Sequence, residues 1–561
     1  MPAVSDKPPA LLRSPPFLGA GAAVSLPDRT ASLRFAEGTA DLLLAAIREA
    51  RVGGRFWARP MRPAAPTILV RIRSAAEIAP LRAMLADAER APITWMPPPG
   101  AAGRAIAKAV AERDAVVARN VDPWSLLEGA VRLFAHGDDE WVTLAHIAGR
   151  PVDILSYGRF GAPGADLEQL RRCASDSLTQ VRYRDPFTGQ DTDVQSVIAQ
   201  LGDWRRTFES NRTIVAACGI AWWKRHEIAR FLRTPERAPR FLRSEKRAIA
   251  YAARRGGAIA VWPSRISAGM ADAARAKAVT LIRIEDGFVR SVGLGSNLVP
   301  PSSITVDRLG IHYDPSCPSD LEVLLATAQF PPALLARARR LLDAVVRAGI
   351  SKYGGGDDHA FPGRQPGRRI VLVPGQVEDD MSVRLGGGGL SSNLELLRRT
   401  RSIERDAEIW FRPHPDVDAG HRRGAVRDED ALHLADRVVR GGGMAQLLDH
   451  VDGVHVLTSL TGFEAVLRGR EVFCHGTPFY AGWGLTRDLA PVSGRRGRQL
   501  TLEQLVAAVL ILYPRYLDPV TQFPCPPEVL IHRITHGVAR NRLSWVSYIR
   551  KLQGRFMRQA S

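Results

Sequence analysis

The chain of 561 residues is long enough for roughly three or four domains, and a hydrophobic content of 45% is sufficient for packed cores. Its 77 lysines and arginines against 58 aspartates and glutamates give a net charge of +19, which favours acidic partners: nucleic acid, an anionic membrane, or phosphorylated and carboxylated sugars. The five cysteines lack metal-ligand or redox spacing, the N-terminus lacks a signal-peptide pattern, and the longest apolar runs are too short to span a membrane. We therefore expect a cytoplasmic protein, either soluble or peripheral on the inner face of the cytoplasmic membrane.

The chain begins with a stretch, residues 1–35, that is rich in proline, alanine and arginine and that we expect to be disordered. Strand and helix patterns then alternate, beginning with a helix over residues 39–51 and a strand over residues 67–72. This alternation predicts an α/β domain over residues 36–205.

The domain over residues 36–205 resembles a later part of the chain. Four short stretches recur in the same order at a nearly constant separation; in one of them, residues 93–100 resemble residues 409–416. A divergent duplication with insertions explains such an order.

The predicted repeat is unequal in its polar residues. Pro98 falls opposite His414, Leu144 falls opposite Glu464, and the sequence E-D-G-F does not occur before residue 205. We therefore interpret the first copy as a degenerate scaffold that does not catalyse.

From residue 213 the alternation of strands and helices begins again, and residues 354–367 read as a linker between two such units. Two Rossmann-like units with a cleft between them form the GT-B layout. The fold is thus predicted to be α/β, with a GT-B-like pair of Rossmann-type units preceded by a partial, degenerate copy. The expected parts are a disordered N-terminus (1–35), the degenerate domain (36–205), an acceptor and catalytic unit (206–365), a donor-nucleotide unit (366–500) and C-terminal helices (501–561).

Two acids form the first candidate site. The strand pattern over residues 279–284 ends in Glu285 and Asp286, and Gly287 then allows a turn. In open α/β sheets the ligand crevice lies beyond the carboxyl ends of the strands, where a catalytic carboxylate is expected. An acid before glycine is also ordinary turn chemistry, so a strand cap is the alternative interpretation.

His414 stands between two prolines in the motif R-P-H-P-D, directly after the strand predicted over residues 408–411. Its imidazole can hydrogen-bond a phosphate or a leaving group, and the alternative is a surface turn.

A hydroxyl-rich turn forms a third candidate site. Thr458, Ser459 and Thr461 follow a predicted strand, and Gly462 opens a helix. Free backbone N–H groups and the positive end of the helix dipole would make an anion site there. Glu464, in the first turn, either caps the helix or hydrogen-bonds a ribose, and a simple N-cap is the alternative for the hydroxyl residues.

Two further patterns are less specific. The segment G-T-P-F-Y-A-G-W-G-L-T, residues 476–486, predicts a loop that brings aromatic faces close to a ligand, or else a well-packed loop. Asp416 and Asp418 form a D-x-D pair without other ligands nearby, so we expect no metal there. The G-x-S-x-G pattern of serine hydrolases does not occur in the sequence.

Several long motifs together resemble the capsular polysaccharide β-Kdo transferases of the KpsC/LipA type, over about residues 205–530. They are E-D-G-F-V-R-S-V-G-L-G, P-G-Q-V-E-D-D, R-P-H-P-D, S-L-T-G-F-E-A and P-F-Y-A-G-W-G-L-T. Members of that family usually carry two transferase modules in tandem. They move Kdo from CMP-Kdo with retention and build the β-Kdo linker between a phosphatidylglycerol-type lipid and the capsule chain. This chain departs from the pattern, because its first module is short and lacks the motifs.

The resemblance implies roles for the candidate residues. Asp286 would be the nucleophile of a double displacement, with Glu285 or His414 helping proton transfer. Arg290 and Ser291 would bind the substrate, and the fork of Arg290 suits the carboxylate of the sugar. The implied donor-binding residues are His414, Pro415, Ser459, Thr461, Gly462, Glu464 and Gln376.

The resemblance also implies the partners. They are a CMP-Kdo donor, a lipid-linked glycan acceptor and other capsule biosynthesis or export proteins, and nucleic acid is not among them. CMP is a good leaving group, so neither a metal nor another cofactor is expected.

The C-terminal end of the chain has the pattern of a membrane-surface helix. Residues 531–561 contain seven lysines and arginines and no acid, and Trp545, Ile549, Leu552 and Phe556 repeat at helical spacing. We expect this end to bind an anionic membrane, and the alternative is a helix packed on the first Rossmann-like unit.

Two other functions fit the same sequence. One is a non-catalytic capsule assembly or export factor that has kept the fold, and the other is a glycosyltransferase that uses a different CMP-sugar. The complete polar set of the second module argues against the first of these, because loss of catalysis removes selection for such residues.

Overall fold

The computed structural model describes residues 10–17, 24–27, 38–86, 91–110, 114–117, 120–289, 299–350, 361 and 367–537. The predicted substrate-binding residues Arg290 and Ser291, and most of the predicted membrane-binding stretch, lie outside the described residues. The chain forms two compact units, Met1–Arg212 with Arg233–Arg237, and Thr213–Leu232 with Ala238–Ser561.

The first unit is built on a five-stranded parallel sheet. Its strands and helices are β1 (Ser25–Pro27), α1 (Thr39–Ala50), β2 (Thr67–Arg71), α2 (Ile78–Ala86), β3 (Ile93–Trp95), α3 (Ala101–Val110), β4 (Ala115–Val116), α4 (Pro123–Leu127), β5 (Ala130–Ala135), α5 (Glu140–Ile147), β6 (Val152–Ile154), α6 (Leu167–Thr179), β7 (Val181–Tyr183) and α7 (Val194–Asn211). The strand order of the sheet is β4-β3-β2-β5-β6, and β1 pairs with β7 in a separate antiparallel ribbon. The predicted strand at residues 67–72 is β2, whose apolar residues are fully buried.

The expectation that residues 1–35 are disordered is wrong for the parts that the structure describes. Leu11 and Leu12 are each 1% exposed, and the N–H of Gly54 donates to the carbonyl of Leu11 at 2.9 Å. The prolines and arginines around these two leucines give the segment a composition typical of disorder, although the leucines themselves are buried. The unit also extends beyond residue 205, because α7 continues to Asn211.

The second unit holds the remaining elements. They are β8 (Ile214–Cys218), α8 (Arg225–Leu232), β9 (Arg240–Leu242), α9 (Glu245–Arg255), β10 (Ala258–Val261), α10 (Met270–Arg275), β11 (Leu281–Asp286), β12 (Ser303–Asp307), α11 (Asp320–Thr327), α12 (Pro332–Arg347), β13 (Ile370–Pro374), α13 (Met381–Gly386), α14 (Asn393–Ile403), β14 (Glu408–Arg412), α15 (Pro415–Asp418), α16 (Asp428–Leu432), β15 (Arg437–Val438), α17 (Met444–His450), β16 (Gly453–Val456), α18 (Leu460–Leu467), β17 (Glu471–Cys474), β18 (Arg487–Asp488), α19 (Leu502–Val506), β19 (Pro514–Leu517), β20 (Pro524–Cys525) and α20 (Pro527–Thr535).

The first sheet of the second unit has seven strands in the order β20-β19-β12-β11-β10-β8-β9. Strands β8 to β11 are parallel, as the βαβ alternation predicts, whereas β12, β19 and β20 are antiparallel additions. The expectation of helices alone over residues 501–561 is therefore wrong. Strands β19 and β20 each begin with a proline, and a short strand that contains proline gives a weak sequence signal.

The second sheet of this unit has six parallel strands in the order β15-β14-β13-β16-β17-β18. Its first five strands follow the same order as β4-β3-β2-β5-β6 of the first unit. The α/β fold with several parallel sheets is confirmed, and the common strand order is compatible with the predicted duplication, which stays a prediction.

None of the helices in the described part of the chain combines the length and apolar character needed to cross a lipid bilayer. The last described helix, α20, is anchored by Leu530 and Ile531, which are both buried in the core of the second unit.

Candidate active site

An aromatic cluster in the second unit brings three of the sequence motifs together. The ring of Phe288, from E-D-G-F, lies 4.6 Å from the ring of Phe479 and 6.2 Å from the ring of Phe463, measured between centroids. Phe463 belongs to α18 and Phe479 to the loop after β17, so both come from the second sheet. The end of β11 is thereby held against the second sheet, with the ring of His312 at 5.0 Å on another side of Phe288.

The two predicted carboxylates stand at the end of β11, as expected. Glu285 and Asp286 are its last two residues, and Asp286 lies opposite Ile304 of the antiparallel strand β12. The N–H of Gly287 donates to the carbonyl of Ser303 at 3.0 Å, and a Cβ atom at position 287 would lie 2.2 Å from Ser303 Oγ. Glycine is therefore required at position 287 by its close approach to β12.

A buried lysine that the sequence did not indicate pairs with the second carboxylate. Lys224 Nζ lies 2.8 Å from Asp286 Oδ1, and the lysine side chain is 9% exposed. The same ammonium lies 3.6 Å from the ring centroid of Trp262, a cation–π contact. The sequence did not indicate Lys224 as a site residue, because only the folded sheet, in which β10 separates β8 from β11, brings its side chain from the segment after β8 to the end of β11.

The two carboxylates differ in their electrostatic surroundings. Burial raises the pKa of the Glu285 carboxyl to about 8, the negative charge of Asp286 adds to this rise, and the Lys224 ammonium opposes it. Asp380, from the second sheet, adds a smaller upward contribution to the same pKa. At neutral pH Glu285 is therefore mainly protonated, whereas the contact with Lys224 favours the ionised form of Asp286.

Gln376 and Thr458 meet where the strand order of the second sheet reverses, between β13 and β16. The Gln376 side chain donates to Thr458 Oγ1 at 3.1 Å, and the Thr458 N–H donates to Gln376 Oε1 at 3.0 Å. Asn393, at the start of α14, fixes the backbone of Gln376 by two further hydrogen bonds of 2.8 Å. Such a reversal point is where ligands bind in open α/β sheets, and the role of Asn393 was missed by the sequence reasoning.

The hydroxyl-rich turn begins α18. Ser459 Oγ accepts the N–H of Thr461 at 3.2 Å, so Ser459 is the N-cap of the helix. Tyr480 donates to the Ser459 carbonyl at 2.5 Å, and its hydroxyl would lie 2.2 Å from a Cβ atom at Gly462. Thr461 and Glu464 are both buried behind this turn. The N-cap interpretation of Ser459 is confirmed, and a phosphate contact at the same helix end stays a prediction.

His414 follows β14 at the same edge of the sheet. Its Nδ1 accepts the N–H of Asp416 at 3.1 Å, so a neutral ring carries its proton on Nε2 and can donate from there. A Cβ atom on Gly375, just before Gln376, would lie 3.2 Å from the His414 backbone nitrogen. Gln376 follows β13 and His414 follows the neighbouring strand β14, so both residues lie at the same edge of the sheet. Pro415 begins α15, and its side chain is exposed.

A polar connection runs from the second sheet towards Glu285. Thr458 donates to Ser382 Oγ at 3.3 Å, and Ser382 donates to Asp380 Oδ1 at 2.7 Å. The hydroxyl of Tyr313 is buried without a hydrogen-bond partner in the described structure, and burial together with the charges of Glu285 and Asp380 raises its pKa. An unpartnered buried hydroxyl beside two acids is suited to a ligand that supplies the missing hydrogen bond.

The structure also describes the two less specific patterns, the aromatic loop and the D-x-D pair. The loop over residues 476–486 packs into the core, because Tyr480 and Trp483 are buried and the Trp483 indole donates to the Phe479 carbonyl at 2.9 Å. The prediction of aromatic faces open to a ligand is therefore wrong. Asp418 pairs with Arg440 at 2.9 Å, and the described residues contain no group of three or more acids, histidines or cysteines arranged to hold a metal.

Comparison with known proteins identifies the family. The family described as "Capsule polysaccharide biosynthesis protein" matches residues 257–354 and 357–516, which include most of the motifs above. The capsule polysaccharide modification protein LipA of Neisseria meningitidis serogroup B is 35% identical over 425 residues, which are 72% of this chain and 60% of LipA. The lipopolysaccharide-processing protein LpsZ of Rhizobium meliloti is 44% identical over 241 residues, which are 42% of this chain and 54% of LpsZ.

A solved structure shows the same relationship. The β-Kdo 2,4 transferase of Thermosulfurimonas dismutans KpsC is 32% identical, with a TM-score of 0.50, and the match covers 57% of this chain and 98% of that one. By contrast, this chain spans only about 60% of the length of LipA. The chain therefore belongs to the KpsC/LipA family of capsule polysaccharide biosynthesis proteins, as its motifs predicted.

Proposed function

We propose that this chain is a retaining glycosyltransferase that transfers Kdo from CMP-Kdo to a lipid-linked acceptor in capsule biosynthesis. The observation that carries the proposal is the pair of adjacent carboxylates at the end of β11, where Asp286 lies 2.8 Å from the buried ammonium of Lys224 and burial raises the pKa of Glu285. When their surroundings move the pKa values of two neighbouring acids apart, one can act as the nucleophile and the other as the acid or base of a glycosyl transfer. The family membership and the likeness to a β-Kdo transferase support the choice of sugar.

In the first displacement, Asp286 is the nucleophile. Its carboxylate oxygen attacks the anomeric carbon of Kdo, and the bond to the CMP phosphate oxygen breaks with its electron pair leaving on CMP. No proton is needed at that phosphate. We assign the CMP moiety to the edge of the second sheet, with His414 Nε2 and the turn of Ser459 and Thr461 at the phosphate, Glu464 at the ribose, and Gln376 near the sugar.

The second displacement uses the other carboxylate. Once Asp286 carries the sugar as a neutral ester, the like charge that helped to raise the pKa of Glu285 is absent, and Lys224 then favours release of the Glu285 proton to solvent. The Glu285 carboxylate takes the proton of the acceptor hydroxyl, whose oxygen attacks the anomeric carbon while the ester bond to Asp286 breaks. Two inversions give net retention. Glu285 is preferred over His414 for this step because it is adjacent to the nucleophile and has the perturbed pKa.

Replacing the nucleophile tests the proposal. We expect Asp286→Asn to keep its fold and to lower kcat for CMP-Kdo consumption by about a thousandfold or more, because an amide oxygen is a poor nucleophile. Asp272→Asn is the matched control, since that carboxylate lies on α10 with 78% of its side chain exposed. Rates of the Asp286→Asn protein within a few-fold of the control would reject Asp286 as the nucleophile.

The raised pKa of Glu285 predicts the alkaline side of the pH profile. Below about pH 8 the carboxyl is neutral, and above it a second negative charge appears beside Asp286 and repels the anionic donor. We expect kcat/KM for CMP-Kdo to fall as the pH rises through about 8, and Glu285→Gln to remove this decline, because kcat/KM reports ionisation in the free enzyme. An identical alkaline decline in both proteins would show that another group is responsible.

We also propose that residues 538–561 bind an anionic membrane surface. This stretch contains six lysines and arginines and no acid, and each basic residue near such a surface contributes about 1 kcal/mol. The membrane-binding stretch predicted over residues 531–561 begins too early, because Leu530 and Ile531 of α20 are buried in the core of the second unit.

A truncation after Gly537 separates this proposal from a loss of folding. We expect the full chain to float with vesicles that contain phosphatidylglycerol and not with phosphatidylcholine vesicles, and the truncated chain to float with neither. Equal flotation of both proteins with the anionic vesicles would place the membrane contact elsewhere.

A further inference from the structure

The first unit contains a cavity of about 350 Å³ where the strand order of its sheet reverses. The cavity lies at the carboxyl ends of β2 and β5, the position at which open α/β sheets bind ligands. Its volume is at the lower end of the range for small-molecule sites, about 300–1,000 Å³. The lining residues are Arg71, Ile72, Arg73, Met96, Pro98, His136, Asp138, Asp139, Glu140 and Phe160.

The charged groups of this cavity neutralise one another. Arg71 donates to Asp139 at 2.6 Å, Arg73 pairs with Asp138, and Glu140 accepts two hydrogen bonds from Arg13 at 2.6 and 2.8 Å. A charged ligand would therefore have to displace an ion pair before it gained a partner of its own. The cavity is built for a ligand without net charge.

A histidine adds a further fixed polar group. His136 is hydrogen-bonded on both ring nitrogens, by Glu77 at 2.8 Å and by Ser156 at 3.0 Å, so its ring cannot rotate freely. The remaining wall is apolar and is formed by Ile72, Met96, Pro98 and Phe160. The arrangement combines immobilised polar groups with apolar surface, as small-molecule sites do.

Comparison of the two parallel sheets explains why this cavity does not suit a nucleotide. Asp139 caps α5 by accepting the N–H of Trp141 at 3.0 Å, in the same way that Ser459 caps α18. The Asp139 carboxylate, which is already paired with Arg71, occupies the position at the helix end where an anion would bind, so a phosphate would have to displace it.

The cavity contains polar residues other than those compared between the two copies. Pro98 lines it and Leu144 is buried, but the arginines, acids and histidine of the cavity were not recognised. They lie on residues outside the aligned motifs, and their pairing is visible only in the folded unit.

We propose that this cavity binds an uncharged sugar residue, a function separate from the transferase site. Adjacent sugar hydroxyls donate to the carboxylates and accept from the guanidinium groups without separating the ion pairs, and the C–H face of the ring packs on the apolar wall. The described residues offer no metal-binding group here that would indicate a cation as the ligand.

Ligand-observed NMR on the full chain tests this proposal, with the methyl glycosides of glucose, galactose and mannose as probes and with CMP and glucuronate as charged comparisons. The test variant is Arg73→Ala with Asp138→Ala, an exposed pair that lines the cavity. The matched control is Arg132→Ala with Asp153→Ala, an ion pair of 2.9 Å in the same sheet that does not line it.

At least one neutral glycoside is expected to bind, and the test variant should weaken this binding by about tenfold or more, the effect of losing a hydrogen bond to a charged group. The control variant and Asp286→Asn should bind the glycoside as the wild type does, and CMP binding should be the same in the wild type and in both double variants. If the double variant does not fold, Asp138→Asn, which keeps the side-chain shape, replaces it. Binding of no neutral glycoside, binding unchanged by the cavity variants, or binding abolished by Asp286→Asn would overturn the proposal.

Discussion

The packing of Phe288 against Phe463 and Phe479 is the contact on which the site depends. Burial of one phenylalanine contributes roughly 1.5–3 kcal/mol, and each favourable aromatic pair adds about 0.5–1.5 kcal/mol. Since only Gly287 separates Phe288 from Asp286, the ring fixes where the two carboxylates stand relative to the second sheet. The aromatic residues of the sequence motifs thus serve the site by positioning it, although none of them needs to touch a substrate.

The second feature of the site is its unequal electrostatics. Two adjacent acids in one strand would repel each other if both were ionised, and burial makes that arrangement more costly. Lys224 pairs with Asp286, whereas burial and the charge of Asp286 raise the pKa of Glu285. In the proposed mechanism the two carboxylates exchange roles when the charge on Asp286 is lost to an ester, so that one fixed geometry serves both displacements.

Much of the fold and part of the site could be predicted from the sequence. The parallel strands were visible as apolar runs. The carboxylates stand at the end of β11, and His414 and the N-cap of α18 follow β14 and β16 of the other sheet, so each is marked by the end of a strand, a local property of βαβ units. Lys224, Tyr313, Asp380 and Asn393 could not be assigned, because their roles depend on burial and on partners from distant parts of the chain. Strands β19 and β20 were missed because prolines obscured them, and the packed loop around Trp483 was misread because glycines and aromatic residues are also typical of ligand loops.

The two sheets of parallel strands that share one strand order illustrate how far chemistry can diverge on one framework. In the second unit, hydroxyl and amide groups line the reversal point, whereas in the first unit paired acids and arginines line it. By our two proposals, the first of these sites binds an anionic donor and the second binds a neutral sugar.

The central claim is that Asp286 carries the sugar between donor and acceptor. Incubation of the full chain with CMP-Kdo in the absence of acceptor, followed by mass spectrometry of the intact protein and its peptides, tests it most directly. The account predicts a mass increase of one Kdo residue on the peptide that contains Asp286, and no such increase with CMP-sialic acid. The same mass increase in the Asp286→Asn protein, or rapid consumption of CMP-Kdo by the wild type with no adduct at any time, would contradict it.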